Sequence, residues 1–341
     1  MAASLPKKRL KRRWKWLLAL LALAVVGTAL ICAMTLMPGT SYRGPLPALT
    51  AVEEQLKAEL MRDVQKLSTE IGERNVNFPA ALAEAADYIE QAFAATGLRT
   101  RRDTYPVGDL PCHNIEAELP GTDSGRIIVI GAHYDSAPGN PGANDNGSGV
   151  AAVLALARRF AQQPCVQTIR FVAFVNEEPA HFHTEEMGSW VYASRCKERG
   201  ERITGMISME TIGYFTDEPD SQQYPGSGMD LIYPKTGNFI AFVGDTASQA
   251  FVRQVVGSFR RHAKFPSEGT ALPAEVPGVG WSDHWSFWQH GYPALMVTDT
   301  APFRYPYYHH PSDTPEKLDY DGMTRVVAGM EPVLRELANS K

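Results

Sequence analysis

A chain of 341 residues is too long for one small domain and fits a short N-terminal segment followed by one large domain. The net charge of −5 includes a basic N-terminus, so the remainder is acidic and nucleic acid is not expected as a partner. Four cysteines without a CxxC pair exclude a disulfide framework and a thiolate zinc knuckle, although one bridge, between Cys165 and Cys196, is left open. Any metal must therefore be held by histidines and carboxylates.

The N-terminus combines a basic cluster at residues 7–13 with an uncharged apolar run at residues 17–37. This run is long enough to cross a hydrocarbon core of about 30 Å, and Trp14 and Trp16 precede it as interfacial anchors do. The basic cluster predicts a cytoplasmic N-terminus and a periplasmic or extracellular remainder. A cleaved signal peptide is the alternative, but its apolar region is usually only about 7–15 residues long. We predict four segments: a cytoplasmic tail at 1–13, a transmembrane signal anchor at 14–37, a Pro/Gly-rich linker at 38–47 and a catalytic domain at 48–341.

Hydrophobic periodicity after the linker predicts an α/β domain. The predicted elements are, in chain order, helices at 48–70 and 79–95, strands at 98–107, 113–119 and 126–132, a helix at 147–162, a strand at 167–175, a helix near 186–199, a strand at 203–209, a helix at 246–262, a short strand, a strand at 293–298 and a closing helix at 320–337. This alternation favours a mostly parallel central sheet with helices on both faces. Active residues in such sheets gather beyond the carboxyl ends of the strands.

Polar clusters occupy five of those predicted strand ends and the loops that follow them. They are GAHYDS at 131–136, GANDNGSGV at 142–150, NEEP at 176–179, Glu210, and YYHHPSDT at 307–314. Each has an ordinary structural explanation when it is taken alone, such as a solvated loop, a helix cap or a surface histidine pair. Five coincidences at one edge of a sheet are far less expected, so the clusters favour a common site.

The chemistry of the individual residues supports a metal site. Asp135 follows His133 by two residues and can accept its second ring N–H, which fixes the tautomer for metal binding. Asp145 is a candidate helix cap, but the glycines around it indicate close backbone approach. The neighbouring carboxylates of Glu177 and Glu178 repel each other unless a cation compensates. Because they point in different directions, one can bind a metal while the other acts as a base.

Together, the nitrogen and oxygen donors without thiols suit zinc, and less often manganese or cobalt. Five protein ligands that share one carboxylate define a site for two metal ions about 3.5–4 Å apart. The remaining glutamate is then free to take a proton from the attacking water.

These motifs resemble the co-catalytic zinc aminopeptidase family, which includes bacterial leucyl aminopeptidases, aminopeptidase Y and glutamate carboxypeptidase. The resemblance covers roughly residues 50–338 and implies peptide hydrolysis with two zinc ions per chain. It implies that one zinc is held by His133 and Glu210, that the other is held by Glu178 and His309, and that Asp145 bridges them. It also implies that Glu177 is the general base and that Asp135 supports His133. His309 is favoured over His310 because it directly follows Tyr308 and leads into the PSDT segment.

The chain departs from the family pattern in two places. Glu210 stands where many members carry aspartate, and residues 179–187 are unusually rich in histidine. Among these, His181 and His183 alternate in a way that slightly favours pocket lining over solvent exposure.

A further segment, SDHWSFWQHGYP at 282–293, resembles a family segment that lies near the substrate, which would place Asp283 and His284 there. A helix cap at Ser282 with core aromatic residues behind it explains the same sequence equally well.

We therefore predict a membrane-anchored zinc exopeptidase, most consistent with an aminopeptidase, that acts on peptides with Glu177 as general base. One alternative is a glutaminyl cyclase, which shares the fold but uses a single zinc. Another is a receptor-like relic, which predicts a broken ligand position, and the sequence has none. The sequence leaves open aminopeptidase, dipeptidase or carboxypeptidase action, the native metal and the oligomeric state.

Overall fold

The computed structural model describes residues 7–161 and 163–340, with side chains from residue 14 onward. The helices are α1 (Lys7–Thr35), α2 (Ala51–Gln65), α3 (Pro79–Ala94), α4 (Gly149–Phe160), α5 (Gly188–Glu198), α6 (Gln249–His262), α7 (His284–Gln289) and α8 (Tyr320–Ala338). The strands are β1 (Arg99–Val107), β2 (Leu110–Leu119), β3 (Asp123–His133), β4 (Gln167–Phe174), β5 (Ile203–Glu210), β6 (Ile240–Asp245), β7 (Ser267–Leu272) and β8 (Ala294–Thr298).

Two compact units follow one another along the chain, with their boundary between Leu36 and Met37. The first unit contains α1, whose segment Trp14–Thr35 has a mean hydropathy of 2.7 over its most apolar stretch and buries none of it. Its 22 residues would span about 33 Å as a helix, enough for a hydrocarbon core. Length and composition make α1 a candidate membrane span, and a signal sequence near the N-terminus has the same properties.

All eight strands of the second unit form one sheet in the order β1-β2-β4-β3-β5-β8-β6-β7. Strands β4, β3, β5 and β8 are parallel and form its centre, whereas β1, β2 and β6 each join it with antiparallel pairing. The sheet is therefore more mixed than the alternation of elements suggested. Its parallel centre brings the carboxyl ends of four strands to one edge, as the predicted α/β fold requires.

Helices cover both faces of the sheet because its central strands are apolar on both sides. On β3, Ile128 and Ile130 pack into the larger core with α2, α3, α4, α6 and α8, whereas Ile127 and Val129 pack with α5 and α7. This alternation follows from the two-residue period of a strand. Helix α2 begins at a capping box in which Thr50 and Glu53 satisfy each other's backbone N–H groups.

The second unit begins with a strap, defined as residues 37–46, which contains most of the predicted linker. Arg260 on α6 lies 3.3–3.4 Å from the carbonyl oxygens of Met37, Pro38 and Gly39 and donates to them. Ser41 Oγ accepts a hydrogen bond of 2.9 Å from the backbone N–H at the start of β7. The strap is therefore packed against the domain and does not hang free as a tether.

Several details differ from the sequence prediction. Strand β6 was not predicted, and α6 begins at Gln249, three residues later than expected. Cys165 and Cys196 are both free thiols, so the bridge left open by the sequence does not form. These differences lie away from the carboxyl ends of β3, β4 and β5, where the motifs lie.

Candidate active site

The carboxyl ends of the central strands carry the side chains that the motifs singled out. His133 is the last residue of β3, and Glu210 is the last residue of β5. Glu177 and Glu178 lie in the loop directly after β4, and Asp145 lies in the π-helical turn that opens α4. All five residues are buried. The fold thus gathers residues from four separate motifs into one small volume of the interior.

Asp145 lies between two groups of donor atoms. Its Oδ1 is 3.3 Å from Nε2 of His133, which is also 3.2 Å from Oε2 of Glu210. Its Oδ2 is 3.1 Å from Nε2 of His309, which is also 3.1 Å from Oε2 of Glu178. Within each group the donor atoms lie within 4.8 Å of one another. Each oxygen of Asp145 therefore faces a different group, which is the arrangement that a shared ligand needs.

His309 is the most exposed member of these groups, with 34% of its side chain accessible. It lies in the loop after β8 and adopts a left-handed backbone, with φ of 52°. The neighbouring His310 is exposed, and its Nδ1 accepts a hydrogen bond of 3.1 Å from the backbone N–H of Ser312. The structure therefore places His309, and not His310, against the buried carboxylates.

Asp135 supports both glutamates and the first histidine. Its two carboxylate oxygens accept hydrogen bonds from the backbone N–H groups of Glu177 at 3.2 Å and Glu178 at 3.1 Å. Its Oδ1 also lies 3.5 Å from Nδ1 of His133. One buried side chain thus links the loop after β4 to the end of β3, and it leaves Nε2 of His133 directed at the donor groups.

Two further polar residues hold the carboxylate of Glu210. Ser282 donates a hydrogen bond of 2.8 Å to its Oε2, and the side-chain amide of Asn146 lies 3.2 Å from the same oxygen. A helix cap at Ser282 was one of two explanations of its segment, but the structure directs its hydroxyl to Glu210. Asn146 had no assigned role, although it directly follows Asp145 in the sequence. A glutamate at this position is therefore fixed by two donors despite its length.

Asp313, in the same motif as His309, holds the turn that carries Asp145. It accepts hydrogen bonds from the backbone N–H groups of Asn144 at 2.8 Å and Asp145 at 3.1 Å, and from Tyr305 at 2.7 Å. The motif that carries His309 therefore also fixes the turn on the other side of the site.

Arg74 is a functional candidate that sequence reasoning missed. Its buried guanidinium donates to the backbone carbonyls of Tyr134 at 2.6 Å, Pro141 at 2.6 Å and Gly142 at 2.9 Å, which shape the loop between β3 and Asp145. Burial lowers its pKa to about 10, although the charges of nearby carboxylates, above all Asp135, partly oppose this change. It remains a fixed cation beside an anionic site. No local pattern marks it, because these three carbonyl groups lie 60 to 68 residues further along the chain.

The carboxylates of the site lie close together in the protein interior, and their pKa values reflect this. Burial, together with the charge of Asp145, raises the pKa of Glu178 to about 7, although His309 partly opposes the rise. Burial likewise raises the pKa of Glu177. Burial alone would lower the pKa of His133, but the charges of Glu210 and Glu177 outweigh it and hold the pKa well above its usual value. A cation bound among these buried carboxylates would stabilise their charged forms.

The residues fit zinc. In the described part of the chain, Nε2 of His133 and Oε1 of Glu178 are buried polar atoms without a hydrogen-bond partner, which is rare in proteins unless a ligand completes the site. The donors are imidazole nitrogens and carboxylate oxygens, which zinc binds readily. His133, Asp145 and Glu210 form one potential set of ligands, and Asp145, Glu178 and His309 form a second.

The other candidates lie at the margin of this centre. Asp283 is fully buried, and burial raises its pKa to about 7, although the nearby His133 opposes the rise. His284 is also buried and donates from Nε2 to the carbonyl of Val279 at 2.7 Å. His181 pairs with an exposed glutamate of its own loop. His183 is exposed, and neither it nor His181 lines the pocket described next.

An apolar pocket opens beside the buried centre and runs across the sheet. Glu210, Thr298, Ala241 and Glu268 are successive register partners on β5, β8, β6 and β7, so they form one row on the same face. At about 4.8 Å between strands, this row extends about 14 Å. Thr298 and Ala241 are small, which leaves space above the floor. Most of the remaining walls are apolar and include Val243, Met296, Phe239, Val276, Trp281 and Phe303.

This combination of an α/β sheet, a buried histidine–carboxylate centre and an adjoining pocket defines a metallohydrolase. The model of peptidase family M28 matches residues 114–333, and the chain belongs to that family. It is 39% identical to the uncharacterized protein YfbL of Escherichia coli over 83% of this chain and 88% of that protein. It is 30% identical to leucine aminopeptidase 1 of Arthroderma otae over 66% of this chain and 58% of the fungal protein. The protein is therefore a zinc metallopeptidase.

Solved structures with this fold include aminopeptidases and cyclases. The aminopeptidase of Aneurinibacillus sp. strain AM-1 aligns with a TM-score of 0.64 and 17% identity, covering 85% of this chain and 97% of that one. The zinc aminopeptidase of Bacillus subtilis aligns with a TM-score of 0.65 and 14% identity, covering 84% of this chain and 95% of that one. The glutaminyl cyclase of Porphyromonas gingivalis aligns with a TM-score of 0.62 and 18% identity, covering 84% of this chain and 98% of that one. At these identities the likeness establishes the fold alone, so the reaction must be argued from the site.

Proposed function

We propose that the protein is an aminopeptidase that releases N-terminal residues with apolar side chains and uses two zinc ions. The observation that carries this proposal is the position of Asp145, whose two oxygens face two separate sets of nitrogen and oxygen donors. A centre for one metal ion needs only one such set. The ligands would be His133, Glu210, Asp145, Glu178 and His309.

Zinc at this centre supplies Lewis-acid chemistry, polarising the oxygen atoms that bind it. The chain supplies the base. Oε2 of Glu177 lies 3.9 Å from Nε2 of His133, and the backbone N–H of Glu177 donates a hydrogen bond to Asp135. Its carboxylate is placed to take a proton from the attacking water and to return it to the leaving amine. Adjacent Glu178 points to His309, so the two glutamates divide the roles of base and ligand.

The apolar pocket supports the proposed exopeptidase activity. It begins at Glu210 and Tyr308, beside the centre, and continues along the sheet between apolar walls. A substrate whose scissile carbonyl lies at the centre can therefore place the neighbouring apolar side chain in the pocket. Burial of that side chain contributes roughly 1.5–3 kcal/mol for a residue of the size of leucine or phenylalanine.

For the N-terminal segment, we propose a membrane anchor with residues 7–13 on the cytoplasmic side and the catalytic domain outside the cytoplasm. The support is the length and apolar character of Trp14–Thr35, together with the basic residues that precede it. Fractionation of the expressed full chain tests this. An anchor keeps the protein in the membrane at its full mass, whereas a cleaved signal releases a shorter soluble form.

A second candidate reaction, cyclisation of N-terminal glutamine, is favoured only by the likeness to solved glutaminyl cyclases. One assay separates the two reactions. The zinc-loaded protein is given leucyl and phenylalanyl peptides with free N-termini, the same peptides with blocked N-termini, and peptides that begin with glutamine. We expect cleavage of the free peptides alone. Cleavage of blocked peptides alone would indicate carboxypeptidase action, and ring formation without hydrolysis would identify a cyclase.

A further inference from the structure

One wall of the apolar pocket is a loop at residues 273–281, here called the lip. Val276 and Trp281 of the lip line the pocket. The ring of Trp281 stacks on Phe303, which also lines the pocket, at 6.2 Å between centroids, and 40% of Trp281 is exposed. Gly278 lies so close to Phe303 that a Cβ atom on it would come within 2.9 Å of the phenyl ring. The position of the lip therefore determines how wide the pocket is.

Two histidines hold successive carbonyl groups of this lip. His284, buried on α7, donates from Nε2 to the carbonyl of Val279 at 2.7 Å. His183 reaches it from the other side and donates from Nε2 to the carbonyl of Gly280 at 2.8 Å. His183 belongs to the loop that follows Glu178, so its hydrogen bond joins the loop of the zinc centre to the wall of the pocket.

The side chain of His183 is held in place on both faces. Its ring stacks on Phe182 at 4.0 Å and on Trp285 at 4.2 Å, with interplanar angles of 16° and 22°. Its backbone N–H approaches Sδ of Met187 at 3.1 Å, and its φ of 57° is left-handed. A histidine rarely adopts that backbone, so these contacts fix the direction in which its ring N–H points.

We propose that His183 is a positioning residue for substrate selection, because it holds the lip and thereby sets the width of the apolar pocket. The inference rests on the aminopeptidase function proposed above, and it concerns selectivity rather than chemistry. In the described part of the chain, His183 makes hydrogen bonds and ring contacts with Phe182, Trp285, Met187 and Gly280, and none of these residues belongs to the zinc centre.

A role limited to stability would have different consequences. His183 is exposed, so its replacement leaves no cavity in the core. A variant that only destabilised the protein would lower turnover equally for every substrate. A displaced lip instead affects substrates in proportion to the surface that they bury in the pocket. Alanine at the N-terminus barely enters the pocket, whereas leucine and phenylalanine fill it.

The test compares three variants of the full chain. His183→Phe keeps an aromatic ring for stacking but removes the donor, and His183→Gln keeps an N–H donor at a similar reach. His181→Ala is the matched control, because His181 lies in the same loop and pairs with Glu186 without contacting the lip. For each protein we would measure kcat and KM with alanyl, leucyl and phenylalanyl substrates, bound zinc, and hydrogen exchange of residues 273–281.

For His183→Phe we expect KM for leucyl and phenylalanyl substrates to rise about threefold to tenfold, the range for losing one hydrogen bond. The alanyl KM, kcat and bound zinc should change less than about twofold, and the lip should exchange faster. His183→Gln should recover part of the loss, and His181→Ala should match the wild type. Unchanged KM ratios, or an equal fall in kcat for all substrates, would overturn the proposal.

The hydrogen-exchange measurement tests the role of His183 in holding the lip separately from the proposed aminopeptidase function. If the wild-type protein cleaves no free N-terminus, the proposed function is wrong whatever the variants do. Faster hydrogen exchange of the lip in His183→Phe would then still show that His183 holds the lip. Unchanged exchange would refute the claim that His183 holds it.

Discussion

The zinc centre and the apolar pocket lie side by side but are built in different ways. The centre consists of side chains at the ends of β3, β4 and β5 and in the turns beside them, and nearly all are buried and held by hydrogen bonds. The pocket is formed by β6, β7, β8 and the long connections around them, including the partly exposed lip. Under the proposed function, the buried strand ends would carry the reaction, and the segments around the pocket would select the substrate.

The largest effect should come from the general base. Replacing Glu177 with glutamine removes the proton acceptor but keeps the size of the side chain, so hydrolysis should fall about 10²–10⁴-fold. Bound zinc should stay the same, since Glu177 is not one of the proposed ligands. Metal analysis and turnover on one preparation check both points. Glu186→Gln, in an exposed part of the same loop, is the control and should keep wild-type turnover. If Glu177→Gln keeps more than a tenth of the activity, the assignment of the base is wrong.

The next effect should come from a residue that holds the ligands without binding metal. Asp135→Asn replaces one acceptor oxygen with an N–H group that faces the backbone N–H groups of Glu177 and Glu178. Zinc affinity or activity should fall about 10–100-fold. Titration of the metal-free protein with zinc measures the loss, with Asp123→Asn as an exposed control. Unaltered affinity and activity would mean that the loop after β4 keeps its shape without Asp135.

A change in the pocket should alter selectivity and leave the centre intact. Ala241→Leu fills the floor midway along the row from Glu210 to Glu268. The value of kcat/KM for phenylalanyl substrates should fall about 10-fold or more, because an occupied floor shortens the pocket. Alanyl substrates and bound zinc should be nearly unaffected. An equal loss for both substrates would mean that the pocket does not receive the N-terminal side chain.

The smallest effect should come from a residue outside both the zinc centre and the apolar pocket. Burial would raise the pKa of Glu201, but hydrogen bonds from Arg170 and Arg199 outweigh it and hold the pKa well below its usual value. Ionised Glu201 therefore stabilises the fold above the unfolded-state pKa of about 4.3, and this contribution is lost as the pH falls through the lower folded-state pKa. Glu201→Gln should lower the free energy of unfolding by about 1 kcal/mol at neutral pH. Denaturant unfolding at several pH values should show the difference shrinking in acid. A constant difference would exclude the ion pairs as its source.

The same contrast explains how far the sequence could predict the structure. His133, Asp145, Glu178, Glu210 and His309 became candidates because each lies at a predicted strand end or in a short polar motif nearby, and their assignment as ligands came from the family resemblance. Periodicity also predicted most of the helices, including the start of α3 at Pro79. The placement of these residues around one centre then follows from the parallel strands.

Residues whose roles depend on distant partners could not be found in this way. Arg74 contacts carbonyl groups more than 60 residues further along the chain, and His183 contacts Gly280 at a separation of 97 residues. Strand β6 joins the sheet between β8 and β7, an order that no local pattern encodes. The strap at residues 37–46 resembles a flexible linker in composition, but its packing against Arg260 appears only in three dimensions.

The most direct test of the central claim is anomalous diffraction at the zinc absorption edge from crystals of the zinc-loaded protein. The account predicts two peaks about 3.5–4 Å apart. One should lie between His133 and Glu210, the other between Glu178 and His309, and the carboxylate of Asp145 should contact both. A single peak, or peaks bound by other side chains, would contradict the two-zinc centre.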